Sequence, residues 1–126
     1  MNEKKVKIAI FGGIIFGLFI VWAVGSSYIY NLRKENFKIR VNDTLSAYGR
    51  QIEDVYINGT YVGVYVDGAR YEKADKATQE TWQKEVVSLI RIDAVKSEIL
   101  KEGEVTVSFF TDKRSIDSVA RYIIKE

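Results

Sequence analysis

The stretch Val55-Tyr56-Ile57-Asn58-Gly59-Thr60-Tyr61-Val62-Gly63-Val64-Tyr65-Val66-Asp67-Gly68 decides the fold class. Two β-branched, tyrosine-rich runs flank Asn58-Gly59, a dipeptide that favours a two-residue hairpin turn because both positions tolerate positive φ. A turn centred there places Ile57 opposite Thr60, Tyr56 opposite Tyr61 and Val55 opposite Val62. Opposed residues share a sheet face. One face then gathers Val55, Ile57, Val62, Val64 and Val66, and the other gathers Tyr56, Tyr61 and Tyr65 with a gap at Gly63. A second tight turn at Asp67-Gly68 would extend the hairpin to a meander and bring Arg70 beside the tyrosines.

The aliphatic face is core. The tyrosine face admits two readings: cross-strand aromatic pairing beneath a covering helix, or a binding platform. Tyrosine and arginine concentrate energy at interfaces, since each couples a large flat contact to a hydrogen-bonding group. Tyr56, Tyr61, Tyr65 and Arg70 are therefore the candidate partner-binding residues.

Downstream, Lys73 to Glu102 consists of strong helix formers, with Glu72 and Asp75 at the positive end of the dipole, Lys101 at the negative end and Gly103 as the stop. Trp82, Val86, Leu89 and Ile90 form its packing stripe. Asp93 falls on that stripe, so it either caps a second helix or is a functional carboxylate in an apolar groove; capping is preferred. Glu104 to Thr111 alternates as a strand, with Val105, Val107 and Phe109 opposite Thr106, Ser108 and Phe110. After a turn at Asp112 to Arg114, Ser115 is expected to cap a closing helix packed through Ile116, Val119, Ala120 and Ile123. Residues 53–126 thus read as a small α+β head: hairpin or meander, long helix, further strand and C-terminal helix.

Upstream of the hairpin, no charged side chain lies between Lys7 and Arg33. A bilayer core of about 30 Å needs about 20 apolar residues in a helix, and Ile8 to Tyr30 suffices. The expected organisation is a basic tail over 1–7, a single transmembrane helix over 8–30, a juxtamembrane stalk over 31–52 and the head. Ala23-Val24-Gly25 before Ser26 also fits a signal-peptidase site. Tyr28, Ile29 and Tyr30 carry the apolar character past it and favour a retained signal anchor. Basic residues stand on both sides, so the positive-inside rule is weak here. The short tail favours an extracytoplasmic C-terminal domain; in the opposite orientation Arg33, Lys34, Lys38 and Arg40 would contact anionic lipid head groups. Gly13 and Gly17 complete a GxxxG on a small-residue face with Ala9, a candidate site for helix association and a homo-oligomer.

The stalk has two readings. Phe37, Val41, Leu45, Tyr48 and Ile52 follow helical spacing, which continues the anchor helix; alternatively Phe37, Ile39 and Val41 alternate as a short strand before a helix capped near Asn42 or Asp43. The continuous helix is preferred, since no proline interrupts it.

The chain has 126 residues and contains no cysteine, histidine or proline. Disulfides, thiol chemistry and His-dependent triads or zinc sites are excluded. No phosphate loop, metal-loop spacing or cofactor motif is present, and no cofactor is expected. Residues 31–126 balance 16 basic against 16 acidic side chains, which gives nucleic acid no electrostatic attraction. Asn42-Asp43-Thr44 and Asn58-Gly59-Thr60 are sequons whose asparagines already have cap or turn roles.

The expected function is that of a non-catalytic, single-pass interaction or assembly protein, with the bilayer and another protein as partners. The alternative is a membrane-tethered ligand-binding or sensing module using the tyrosine face, and an enzyme built on carboxylates ranks third. The order of an apolar N-terminal helix, an amphipathic helix and then a sheet resembles the general plan of type IV pilin-like subunits. That resemblance implies an assembly role. The processing signal of that family differs, since Lys7 precedes Ile8 and the run lacks its glutamate.

Overall fold

The computed structural model describes the backbone of residues 3–49, 51–114 and 116–126, and their side chains from residue 18 onward. Two compact units emerge, residues 1–32 and residues 33–126. Among the described residues of the first unit, helix α1, Glu3–Tyr48, is the regular element, and its C-terminal part belongs to the second.

In the first unit the described side chains Leu18, Phe19, Ile20, Val21, Trp22 and Tyr28 are all solvent-exposed, on every side of the helix. Among the described residues no helix is long and apolar enough to cross a membrane. The expected span over 8–30 lies in large part outside the described side chains, as do Gly13 and Gly17.

In the second unit Phe37, Val41 and Leu45, spaced four apart, are buried. This is the helical reading of the stalk, and the alternative strand over Phe37 to Val41 does not form. The helix ends where Gly49 takes φ 120°, a backbone conformation that side chains with a Cβ rarely adopt. Ile52 therefore opens strand β1, Ile52–Asn58, instead of adding another helical turn.

Strands β1 and β2, Tyr61–Val66, form the expected antiparallel hairpin. Its register is a correction: Asn58 pairs with Tyr61, Ile57 with Val62, Tyr56 with Gly63 and Val55 with Val64. The turn residues are Gly59 and Thr60, with Gly59 carrying the positive φ of 60°. Partners move by two positions, an even step, so every side chain keeps its expected face.

Asp67-Gly68 is not a hairpin turn. Asp67 caps helix α2, Gly68–Lys73, its carboxylate accepting from the Ala69 and Arg70 amides. The capping tendency of aspartate wins over the turn tendency of the dipeptide, and no meander forms. Asp75 then caps helix α3, Lys76–Ser97, at 2.7 Å from the Thr78 nitrogen. The single helix expected over 73–102 is thus divided at Ala74, and it stops before Gly103. Glu98 terminates α3 in the left-handed region at φ 63°, and a 3-10 turn follows over Ile99–Lys101.

Strand β3, Val105–Phe110, pairs parallel with β2, so the chain between them must cross over, which α2 and α3 accomplish. The expected C-terminal helix is a strand, β4, Ala120–Ile124, antiparallel to β3. The Ser115 cap lies outside the described residues. Arg121-Tyr122-Ile123-Ile124 is rich in aromatic and β-branched residues, and its period-2 alternation fits the β3 partner better than the 3,4,7 pattern fits a helix. The sheet order is β1-β2-β3-β4, a mixed four-stranded sheet within an α+β fold. Its core joins Phe37, Val41 and Leu45 of α1 and Val86, Ile90 and Ala94 of α3 to Val62, Val64, Val66, Val105, Val107, Phe109 and Ile124.

Candidate partner-binding face

Strand pairing assembles the other sheet face residue by residue. One row across the strands is Tyr56, Gly63, Ser108, Arg121; the next is Asn58, Tyr61, Thr106, Ile123; a third joins Asp54, Tyr65 and Phe110. Both helices pack on the valine side, so no helix among the described residues covers these rows. Tyr56 is 52% and Ile123 51% exposed, while Tyr61 and Tyr65 are half-buried. The expectation of tyrosines packed beneath a helix does not hold.

Gly63 explains how the rings sit. A Cβ there would meet Tyr61 Cε1 at 3.5 Å, Phe110 Cε2 at 3.6 Å and Tyr56 Cβ at 3.7 Å. The rings lean over the bare backbone and shield it. Tyr56 meets Tyr61 edge-on at 6.3 Å, and Tyr65 stacks on Phe110 at 5.2 Å. The result is a shallow aromatic relief on an open sheet.

Of the four expected residues, the structure brings together Tyr56, Tyr61 and Tyr65 and removes Arg70. Arg70 lies on α2, its Nε 3.6 Å from the Asp67 carboxylate, because Asp67 starts a helix and does not reverse the strand. The cation on the face is Arg121, exposed and opposite Ser108. Phe110, Arg121 and Ile123 are the face residues missed from sequence. The alternation around Phe110 was legible, but its place beside Tyr65 needed the parallel β2–β3 pairing. Arg121 and Ile123 were hidden by the helical reading of their segment.

The basic cluster expected at lipid separates into two kinds. Arg33 is engaged in the fold, its Nη1 2.6 Å from Glu102 and its Nε 3.8 Å from Glu98, with only 24% of the side chain exposed. These pairs tie α1 to the turn after α3. Lys34 is half-buried, and Lys38 and Arg40 are exposed.

Asp93 is not a cap. It sits inside α3, 6% exposed, with Oδ2 buried and without a hydrogen-bond partner. A second concavity lies on the helical side, lined by Gln51, Val66, Asp67, Arg70, Tyr71, Thr78 and Trp82. Trp82 packs edge-on against Tyr48, Tyr71 and Phe109, and its buried Nε1 donates to nothing. Alongside it, the Gln83 amide donates to Tyr71 Oη and accepts from Tyr122 Oη at 2.7 Å, tying α2, α3 and β4 together. Tyr48 is pushed up to about 12 by burial first, then by its hydrogen bond to Glu85 and that carboxylate's charge. Among the described residues no group of acidic side chains is arranged to hold a metal ion.

No family model matches the chain, and neither a curated protein nor a solved structure matches it.

Proposed function

We propose that this chain is a single-pass, membrane-anchored interaction and assembly protein, non-catalytic, that presents its small α+β domain at the membrane surface on the extracytoplasmic side. The observation that carries the anchoring half is the uncharged run from Ile8 to Tyr30, together with apolar side chains exposed around the helix over residues 18–32. A helix apolar on every side is stable where lipid or protein surrounds it. The interaction half rests on the open tyrosine face, which exposes aromatic area that a monomer gains nothing by leaving bare.

Two experiments test the halves separately. Carbonate extraction with a C-terminal reporter reads the anchor and its direction; release into the wash rejects anchoring, and a cytoplasmic reporter rejects the orientation. Tyr61→Ala with Tyr65→Ala, in a protein that still folds by circular dichroism, abolishes partner capture if the face is the contact. Undiminished capture sinks it. A second reading, a membrane-tethered ligand-binding module, is favoured by the Trp82 groove and its unpaired indole N–H. A pilin-like assembly subunit is the minor variant of the first reading.

A further inference from the structure

A four-stranded open sheet has two edges, and in this protein they are unlike. At β1 the ladder is broken by an irregularity between Ile52 and Asp54, two exposed acids stand side by side at Glu53 and Asp54, and the Val55 N–H is taken by the Asp54 carboxylate at 2.9 Å. Lys113 crosses to Asp54 at 3.5 Å. Bulges, charges and occupied backbone donors are the means by which proteins keep an edge from pairing. At β4 the charge is limited to Arg121, and no irregularity interrupts the ladder. The strand reads Ala-Arg-Tyr-Ile-Ile without proline or bulge, β3 pairs with only one of its sides, and Ile123 is 51% exposed beside it.

We propose that β4 is a pairing edge for a second copy of this chain, joining two sheets antiparallel into one continuous sheet of eight strands. This deepens the interaction half of the proposed function and rests on it. The geometry restricts the register. A two-fold axis perpendicular to the sheet keeps the aromatic face of one copy continuous with that of the other, so opposed residues must share a face. Among the central registers, one centred on Arg121 sets that arginine against itself, and one centred on Ile123 sets Arg121 against Lys125. Like charges directly opposite are destabilising. Centring on Tyr122 avoids both: Arg121 faces Ile123 of the second copy, Ala120 faces Ile124, and Val119 faces Lys125, whose ammonium is drawn to Glu104 at 3.6 Å. That register merges the two open aromatic faces on one side.

Because the chain has no cysteine, single cysteines report the contact directly. In the full chain in micelles, a mixture of Arg121→Cys and Ile123→Cys proteins is expected to give a heterodisulfide more efficiently than either protein alone, while Asn58→Cys on β1 gives none. Independently, Ile123→Glu sets a carboxylate opposite Arg121 twice per dimer and Ile123→Arg sets a like charge there. Their dimer dissociation constants are expected to differ by about tenfold, with Ile123→Glu the tighter. Cross-linking at positions 121 and 123 no greater than at 58, a monomer at micromolar concentration, or equal affinities for the two Ile123 variants would each overturn the inference. A dimer that persists without any β4 cross-link also overturns it, and leaves membrane anchoring, read by carbonate extraction, untouched.

Discussion

The two faces of the sheet use different side chains to different ends. The covered face is aliphatic apart from Phe109 and Tyr122; Val62, Val64, Val105 and Val107 are wholly buried. The opposite face is aromatic and partly wet, and its rings meet one another across strands. Valines fill a layer that helices close, whereas tyrosines stabilise a layer that no helix among the described residues closes, since a ring buries area against its neighbour and leaves its hydroxyl in water. The covered face therefore carries most of the buried apolar area, and the open face keeps its tyrosine rings partly in water.

The largest effect expected from that division is at Phe109, which is fully buried between Trp82 and Tyr122. Phe109→Ala should cost about 3–5 kcal/mol in urea unfolding; a loss comparable to that of an open-face residue would break the contrast. Next comes Asp93, whose buried oxygen lacks a partner on the packed face of α3 beside Ile90 and Ala94. Asp93→Leu is expected to raise stability by about 1–3 kcal/mol, visible as a higher urea midpoint with unchanged slope. Destabilisation would mean that the carboxylate holds the covered layer together. On the open face, Tyr65→Ala loses the stack on Phe110 and should cost about 1 kcal/mol in the same assay. A cost as large as that of Phe109→Ala would make the tyrosines core.

The last effect, silent at neutral pH, is at the rim of the covered layer. The folded state keeps the Tyr48 phenol protonated up to about 12, so between its unfolded value near 10 and that point the unfolded chain loses the proton first. Stability on this account is intact below pH 10 and falls as the pH rises toward 12. Absorbance of tyrosinate in a titration should show Tyr122, whose phenol burial also raises, ionising late along with Tyr48. Glu85→Gln should bring Tyr48 down in part, because burial is the larger cause.

How much of this was legible beforehand depends on how local the deciding forces are. The hairpin, the face assignment of Tyr56, Tyr61 and Tyr65 and the Phe37, Val41, Leu45 stripe follow from periodicity and one turn dipeptide, and these the chain displays openly. Asp67 and Asp93 were misread for opposite reasons. At Asp67 one local preference, helix capping, overrides another, the turn dipeptide, whereas at Asp93 the local capping preference yields to the packing that carries α3 through it. The C-terminal segment is the sharpest case. Val119, Ala120 and Ile123 satisfy a helical pattern, and Ala120, Tyr122 and Ile124 satisfy a strand pattern equally; only the free side of β3 decides between them. The site inherited that ambiguity, so three tyrosines were placed and Arg121 was not.

The parallel seam between β2 and β3 has a consequence in time. The β1–β2 and β3–β4 pairs are each local and can zip without help, but residues 67–104 separate them, and the seam Tyr61–Tyr65 against Thr106–Phe110 exists only once that whole crossover has been gathered in. Closing a long loop before its contacts are rewarded is the slow part of such a topology. With no proline to isomerise, closing that crossover is the step expected to set the refolding rate.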